Sequence, residues 1–142
     1  MKVVSPFPTF CILLPEDLSE NHDHDIISYW KSEDTCLLQL SSVGTSSIQQ
    51  SASQRLFEQT MISGRWKSFE LRQSPCGCES AAATMNADGV SYLQVYLVWP
   101  TCTVHATVSR QGQLDVCQWV WDLLASVQPK VTNSCMSFHF SL

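Results

Sequence analysis

The stretch from Val90 to Arg110 constrains the fold more than any other part of this chain. Between Leu93 and Trp99, apolar residues occupy every second position, which is typical of a strand with one strongly apolar face. After Pro100, positions 102–108 alternate again between apolar residues and threonine or histidine. Proline has no N–H to donate to a sheet, so Pro100 is expected at a bend. The stretch is therefore predicted to form two neighbouring antiparallel strands.

A turn is predicted immediately before this stretch. The run Asn86-Ala87-Asp88-Gly89 contains a glycine that can adopt positive φ, as tight hairpin turns require. It would join residues 78–85 to the long strand that begins at Val90. The sequence therefore predicts a three-stranded antiparallel meander over residues 78–110.

Other elements are predicted from periodicity and from chain-breaking residues. Short apolar or alternating runs indicate strands at Phe10–Leu14, Ile26–Trp30, Cys36–Leu40 and Trp66–Leu71, and an edge strand at Met136–Leu142. Helices are predicted over residues 48–63 and 114–127, the second with an apolar stripe of Cys117, Val120, Trp121, Leu124 and Val127. The acidic residues 16–25 are predicted to be a loop. The expected fold class is α+β: an antiparallel sheet with a central three-strand meander packed by two helices.

Composition limits the number of domains and the class of partner. A chain of 142 residues with 44% hydrophobic content can bury an ordinary core, so residues 1–142 are expected to form a single globular domain. Eight basic and 13 acidic residues give a net charge of −5, and no basic run occurs. Nucleic acids and anionic membranes attract basic surfaces, so neither is an expected partner.

The number and positions of the cysteines indicate the redox state of the cellular compartment. The chain has seven of them, an odd number, and Cys11, Cys36, Cys102 and Cys117 lie in apolar runs where a thiol behaves as a small hydrophobe. Prolines interrupt the first residues, so no continuous apolar segment of a signal peptide is expected. Reduced cysteines and a cytoplasmic location are therefore predicted.

Two groups of residues have the types that bind divalent metals. His22 and His24 alternate with aspartates, and Cys76 and Cys78 flank a glycine. Imidazole and thiolate groups are good zinc ligands, and a tetrahedral site needs four of them. If the two pairs met, they would complete such a site. The alternative is a solvated acidic loop and a turn with two incidental thiols, and this alternative is preferred, with no cofactor expected.

A cysteine-dependent enzyme is a third hypothesis. Cys102 and His105 fall on opposite sides of their strand, so they cannot form a nucleophile and base pair. Cys76 or Cys78 would have to lie over His105 instead. The chain lacks the motifs of serine hydrolases, zinc proteases and nucleotide-binding loops. A non-enzymatic protein is therefore the preferred interpretation.

The preferred function is a protein-interaction or adaptor domain. One candidate surface is the less apolar face of the predicted meander, and part of that face is alternatively packed inside a second layer. Trp119 lies off the apolar stripe of its helix, so it either widens the buried face or makes a surface contact. The candidate residues are Tyr92, Tyr96, Thr103, His105, Thr107 and Trp119. The edge strand at Met136–Leu142 also predicts strand addition, in a homodimer or with another protein.

Three short stretches are similar to the PsbP, Mog1 and DcrB-like group of α/β sandwiches. The strand Phe10–Leu14 ends at Pro15, Asp88-Gly89 leads into the long strand Val90–Val98, and the last helix ends in Leu124-Ala125-Ser126-Val127. The resemblance covers most of residues 7–129. It implies a non-enzymatic binding module, because members of the group serve as extrinsic subunits, as a partner of a small GTPase or as adaptors. It carries over no functional residue.

Overall fold

The computed structural model describes residues 1–32, 35–44, 67–69, 78–99, 102–112 and 118–130. Within these ranges the chain forms ten strands and one helix. In chain order they are β1 (Lys2–Phe7), β2 (Phe10–Leu14), β3 (Ser19–Asp23), β4 (Ile26–Trp30), β5 (Cys36–Gly44), β6 (Lys67–Phe69), β7 (Glu79–Ala87), β8 (Val90–Val98), β9 (Cys102–Gln111), α1 (Gln118–Ala125) and β10 (Gln128–Pro129).

The strands form two antiparallel sheets. The larger sheet has seven strands in the order β3-β4-β5-β9-β8-β7-β6, and the smaller has the order β1-β2-β10. All of the pairings are antiparallel. The predicted α+β sandwich with two packing helices is therefore wrong, because the described residues are mostly β with one short helix. A second, smaller sheet takes part in covering the large one, a role that the prediction gave to helices alone.

The predicted meander is confirmed as the strands β7, β8 and β9. Residue pairs run in register from Ala87 and Val90 along β7 and β8, and from Val98 and Thr103 along β8 and β9. The two residues between β7 and β8 are Asp88 and Gly89, both with positive φ (54° and 77°). That conformation matches the twist of tight hairpins, and glycine adopts it without steric cost.

The core lies between one face of the seven-stranded sheet and a second layer made by β2 and α1. Alternate residues of the large sheet and apolar residues of β2 and α1 form a single buried cluster. Within it, the side chains of Phe10, Leu38, Val95 and Leu124 are completely buried. Burial of apolar area on this scale is the main favourable contribution to folding.

Within the predicted helix 114–127, the structure describes the helical residues Gln118–Ala125, and their buried face overlaps the predicted stripe only in part. In α1 the buried residues are Trp119, Val120, Leu123 and Leu124. The end of the helix is held to β2, because the hydroxyl of Ser126 accepts a hydrogen bond from the Leu13 N–H at 2.9 Å. The predicted helix over 48–63 and the predicted edge strand Met136–Leu142 lie outside the described residues.

The acidic stretch predicted to be a loop contains a strand. Residues 19–23 form β3, which pairs with β4 through the two-residue turn His24-Asp25, where His24 has a φ of 53°. Glu20 pairs with Tyr29. Burial, and secondarily the nearby Glu20 carboxylate, raise the pKa of the Tyr29 hydroxyl to about 12. All five residues of β3 are exposed, so the strand lacks the apolar alternation on which the prediction depended.

The described cysteines are in two chemical states. Cys11, in β2, is disulfide-bonded, whereas Cys36, Cys78 and Cys102 are in the thiol form. The expectation of a fully reduced chain is therefore wrong at Cys11. Within the described residues, no helix has the length and apolar character needed to cross a membrane.

Candidate functional site

The second face of the seven-stranded sheet carries mostly uncharged polar and aromatic side chains. Residues paired directly across antiparallel strands share a face, so the registers define which side chains lie together. One cross-strand row is Ser28, Gln39, Thr107 and Gln94, and the next is Ser41, His105 and Tyr96. Tyr92 follows on β8, two residues before Gln94. We call these eight residues the polar face: Ser28, Gln39, Ser41, Tyr92, Gln94, Tyr96, His105 and Thr107.

Three residues at the centre of the polar face contact one another: Gln94, Tyr96 and His105. The rings of Tyr96 and His105 are stacked, with centroids 4.5 Å apart and planes 14° apart. The Nε2 atom of His105 lies 3.1 Å from the Oε1 atom of Gln94. Gln94 is only 4% exposed and Tyr96 only 9%. The imidazole is therefore fixed by a buried amide and a buried ring.

The protonation state of His105 follows from this environment. Burial lowers the pKa of the imidazole below its ordinary value of 6.5, because the charged form is poorly solvated there. The ring is then neutral at pH 7. If Gln94 Oε1 accepts the Nε2 hydrogen, Nδ1 has no hydrogen and is an acceptor. The polar face thus presents hydrogen-bonding groups without a net charge.

Acidification should destabilise the protein through His105. Because its pKa is lowered in the folded chain, the unfolded chain binds an extra proton between the folded-state pKa and 6.5. Stability should therefore fall as the pH drops through that window. In the His105→Phe variant this contribution disappears, so its unfolding free energy should change less between about pH 7.5 and 5.5. Urea unfolding at several pH values measures the difference, and equal pH dependence in both proteins would refute it.

The structure separates the predicted surface residues. Tyr92, His105 and Thr107 are partly exposed on the polar face, and Tyr96 is buried there. Thr103 lies on the same side of the sheet, beyond the polar face, and is also buried. Trp119 is 8% exposed and belongs to the core cluster on the other side of the sheet, so it cannot extend the polar face. Of its two predicted roles, the structure places Trp119 in the one that widens the buried side of the helix.

The four predicted metal ligands do not meet among the described residues. His22 lies on β3, at one edge of the large sheet, and Cys78 directly precedes β7, five strand positions away. At about 4.8 Å per strand, this separation is roughly 24 Å along the sheet. Cys76 lies outside the described residues. In the described part of the chain no three histidine, cysteine or acidic residues are grouped as metal ligands.

The cysteine and histidine pair is not formed by the described thiols either. Cys78 packs against the core cluster, as do Cys36 and the other residues of the buried face. Cys102 is completely buried on the core side of β9. His105 belongs to the opposite face, so none of these sulfur atoms is placed to use it as a base. Cys76, the other thiol of this hypothesis, lies outside the described residues.

Gln94 is the central residue that the sequence prediction omitted. In the sequence it is one polar residue inside the apolar run Leu93–Trp99. Once the pairing of β8 with β9 is known, the role of Gln94 as the hydrogen-bond partner of His105 becomes clear. Gln94 is in register with Thr107 and lies next to the pair formed by Tyr96 and His105. A glutamine within a strand that is otherwise buried is a usable signal, since buried amides need hydrogen-bond partners.

Comparisons with known proteins identify a fold neighbour and no family. No family model matches the chain, and no curated protein matches it. A crystal structure from Bacteroides thetaiotaomicron VPI-5482, at 1.50 Å resolution, is similar, with a TM-score of 0.62 and 10% sequence identity. The match covers 88% of this chain and 46% of that one, so this chain spans about half the length of its neighbour. At this identity the likeness concerns the fold alone. None of the comparisons names the PsbP, Mog1 and DcrB-like group, and that resemblance stays a prediction.

Proposed function

We propose that this chain is a non-enzymatic protein-interaction domain whose polar face contacts a partner protein. The observation that supports the proposal is the composition of the face. Tyr92, His105 and Thr107 are partly exposed beside the buried Gln94 and Tyr96. The centres of protein interfaces are depleted in charged residues and enriched in aromatic ones, as this surface is.

The fixed geometry of the face favours binding for a second reason. Ordering a side chain on association costs roughly 0.5–1.5 kcal/mol for each flexible group. His105 is already held by the ring stack and by Gln94, and the amide Nε2 of Gln39 lies 3.3 Å from the hydroxyl of Ser28. These groups lose little freedom when a partner contacts them. Neutral donors and acceptors also cost less to desolvate than charged groups.

Site-specific photo-crosslinking tests the proposal. A benzophenone amino acid replaces Thr107 on the polar face, and in a second protein it replaces Gln118, which is exposed on α1. We expect a discrete crosslinked protein from position 107 and not from position 118. The same partner should be lost from the Thr107→Arg variant and kept by Gln118→Arg, which adds the same charge elsewhere.

The proposal fails if position 107 yields no crosslinked protein, or if both arginine variants retain the partner equally. Thermal unfolding of both variants separates lost binding from lost folding. A Tyr92→Ser variant provides a second test at a diagonally neighbouring position on β8, because it removes an aromatic contact without adding charge.

A cytoplasmic location is also kept as a proposal, and the state of Cys11 tests it. The disulfide at Cys11 bears directly on this proposal, because cytosolic thiols are generally kept reduced. Alkylation of acid-quenched cells, followed by mass spectrometry, shows whether Cys11 is reduced in cells. A cytoplasmic chain should carry the alkyl group on Cys11, and an oxidised Cys11 in cells would exclude the cytoplasm.

A further inference from the structure

The outer side of β3 is an open sheet edge. In the part of the chain that the structure describes, β3 has β4 on one side and no strand on the other. Each of its five residues, Ser19–Asp23, is exposed. An open edge presents backbone N–H and C=O groups that another extended segment can pair with.

The register shows which backbone groups face outward. Asp23 and Ile26 flank the two-residue turn, so they form the hydrogen-bonded pair that closes the hairpin. Hydrogen-bonded and non-hydrogen-bonded pairs alternate along an antiparallel ladder. Asn21 is therefore bonded to Ser28, whereas Glu20 and His22 direct their N–H and C=O groups away from β4. These two residues offer the groups that an added strand would use.

Charge is concentrated at the same edge. Residues 16–25 contain five acidic residues and no lysine or arginine, while the rest of the chain has eight acidic and eight basic residues. The whole net charge of −5 thus corresponds to this segment. Two copies of the edge would repel each other, which prevents self-pairing through β3. A cationic segment would be attracted, and such attraction also speeds association.

A cleft adjoins the beginning of β3 on the side of Glu20. Its volume is about 340 Å³, and its lining residues include Leu14 and Leu18 together with Lys2, Asp17 and Glu20. Lysine and arginine place their methylene groups on apolar surface and their charged ends on carboxylates. The cleft therefore suits a long basic side chain of a strand that pairs with Glu20.

We propose that β3 binds an extended, lysine- or arginine-rich segment of another protein as an eighth strand of the large sheet. The backbone N–H and C=O groups of Glu20 and His22 form the hydrogen bonds to the added strand. The acidic side chains favour a positively charged strand over a negatively charged one. The interaction uses an edge of the sheet, remote from the centre of the polar face. The proposal for β3 and the proposed function of the polar face can therefore be tested and refuted independently.

Fluorescence anisotropy with two short synthetic peptides tests the proposal. One peptide alternates lysine with threonine, and the other alternates glutamate with threonine, so that both favour extended structure. We expect the full chain to bind the first peptide and not the second, with affinity falling as salt is added. Hydrogen exchange should show new protection at the amides of Glu20 and His22.

Proline at position 22 separates strand addition from simple charge attraction. His22→Pro removes an outward N–H without breaking a β3–β4 hydrogen bond, and edge strands tolerate proline there. It should weaken binding of the lysine peptide about ten-fold, while His22→Thr, which keeps the N–H, should change it less than about two-fold. Equal binding by both variants, binding of the glutamate peptide, or no binding of the lysine peptide would each overturn the proposal.

A further variant tests the contribution of the β3 carboxylates to peptide binding and leaves the backbone intact. Replacing Glu20 and Asp23 by Gln and Asn removes two carboxylates from β3 and keeps every N–H. This double variant should weaken binding of the lysine peptide at low salt and approach the wild type at high salt. An unchanged affinity at low salt would overturn the charge selection, even if His22→Pro failed to fold.

Discussion

Leu38→Ala should lower the free energy of unfolding by about 2–5 kcal/mol, the range found when a buried leucine is truncated. Leu38 is completely buried on β5, between its cross-strand neighbours Tyr29 and Val108, which are also in the core. The three carbon atoms lost leave a cavity that the surrounding strands cannot close, because the backbone ladder holds them on both sides. Single domains are stable by only about 5–15 kcal/mol, so the effect is a large share of the total.

The preceding residue provides the control for this substitution. Leu37 belongs to the opposite face of β5, where it pairs with Trp30 and Ser109 and is partly exposed. Leu37→Ala should cost about 1 kcal/mol, since part of that side chain is already in water. Urea unfolding followed by circular dichroism measures both, with an unchanged denaturant slope as evidence of the same two-state transition. Similar losses at the two positions would show that the two faces are equally buried, contrary to the structure.

The elements that the sequence predicted well are those whose alternation matches a single buried face. Strand β9 shows the clearest case, because Val104, Ala106 and Val108 enter the core and the residues between them do not join it. The tight turn at Asp88 and Gly89 was equally readable, since few residue pairs accept positive φ at both positions. In both places a local rule and the tertiary packing favour the same conformation.

Strand β3 shows where local rules are insufficient. Its residues Ser19–Asp23 are all polar and all exposed, so no apolar period marks them. What makes this segment a strand is the hairpin turn at His24 and the neighbouring β4, whose Ile27 and Tyr29 are buried. The pairing is determined by a partner strand and cannot be read from β3 alone. Edge strands with charged side chains are commonly of this kind.

The helix shows a different limit. Helical periodicity predicted a stripe through Val120, Trp121 and Leu124, whereas the structure buries Trp119, Val120, Leu123 and Leu124. One residue turns a helix by 100°, so a small error in the centre of the stripe exchanges a buried tryptophan for a half-buried one. With tryptophan at both 119 and 121, the sequence has two nearly equivalent apolar faces. Contact with β2 selects between them.

The sequence predicted which residues share the face of the candidate site, but not which of their side chains contact one another. The alternation correctly placed Tyr96, His105 and Thr107 on one face of neighbouring strands. The ring stack and the amide of Gln94 depend on which residues are directly opposite, and a shift of one residue would send every side chain to the other face. The metal hypothesis lacked the same information, because strand order, which the sequence does not show, puts His22 and Cys78 far apart.

Gln94→Leu should lower the free energy of unfolding by about 1–3 kcal/mol, although leucine is more apolar than glutamine and has a similar size. The reason is that the substitution removes the hydrogen-bond partner of His105 while its imidazole remains mostly buried. A buried polar group left without a partner costs more than the hydrogen bond was worth. Urea unfolding at neutral pH measures the loss, and Thr107→Val, on the same face and in direct register with Gln94, serves as a control for the change in polarity.

A double variant decides whether the hydrogen bond or the shape of the site causes that loss. His105→Phe keeps an aromatic ring against Tyr96, and in the presence of Gln94→Leu it removes the imidazole that had lost its partner. The two substitutions together should therefore cost less than the sum of their separate effects, by about 1 kcal/mol or more. Strictly additive losses would mean that Gln94 and His105 contribute independently. The polar face would then be a set of separate side chains, and the rigidity on which its proposed binding role depends would have no energetic basis.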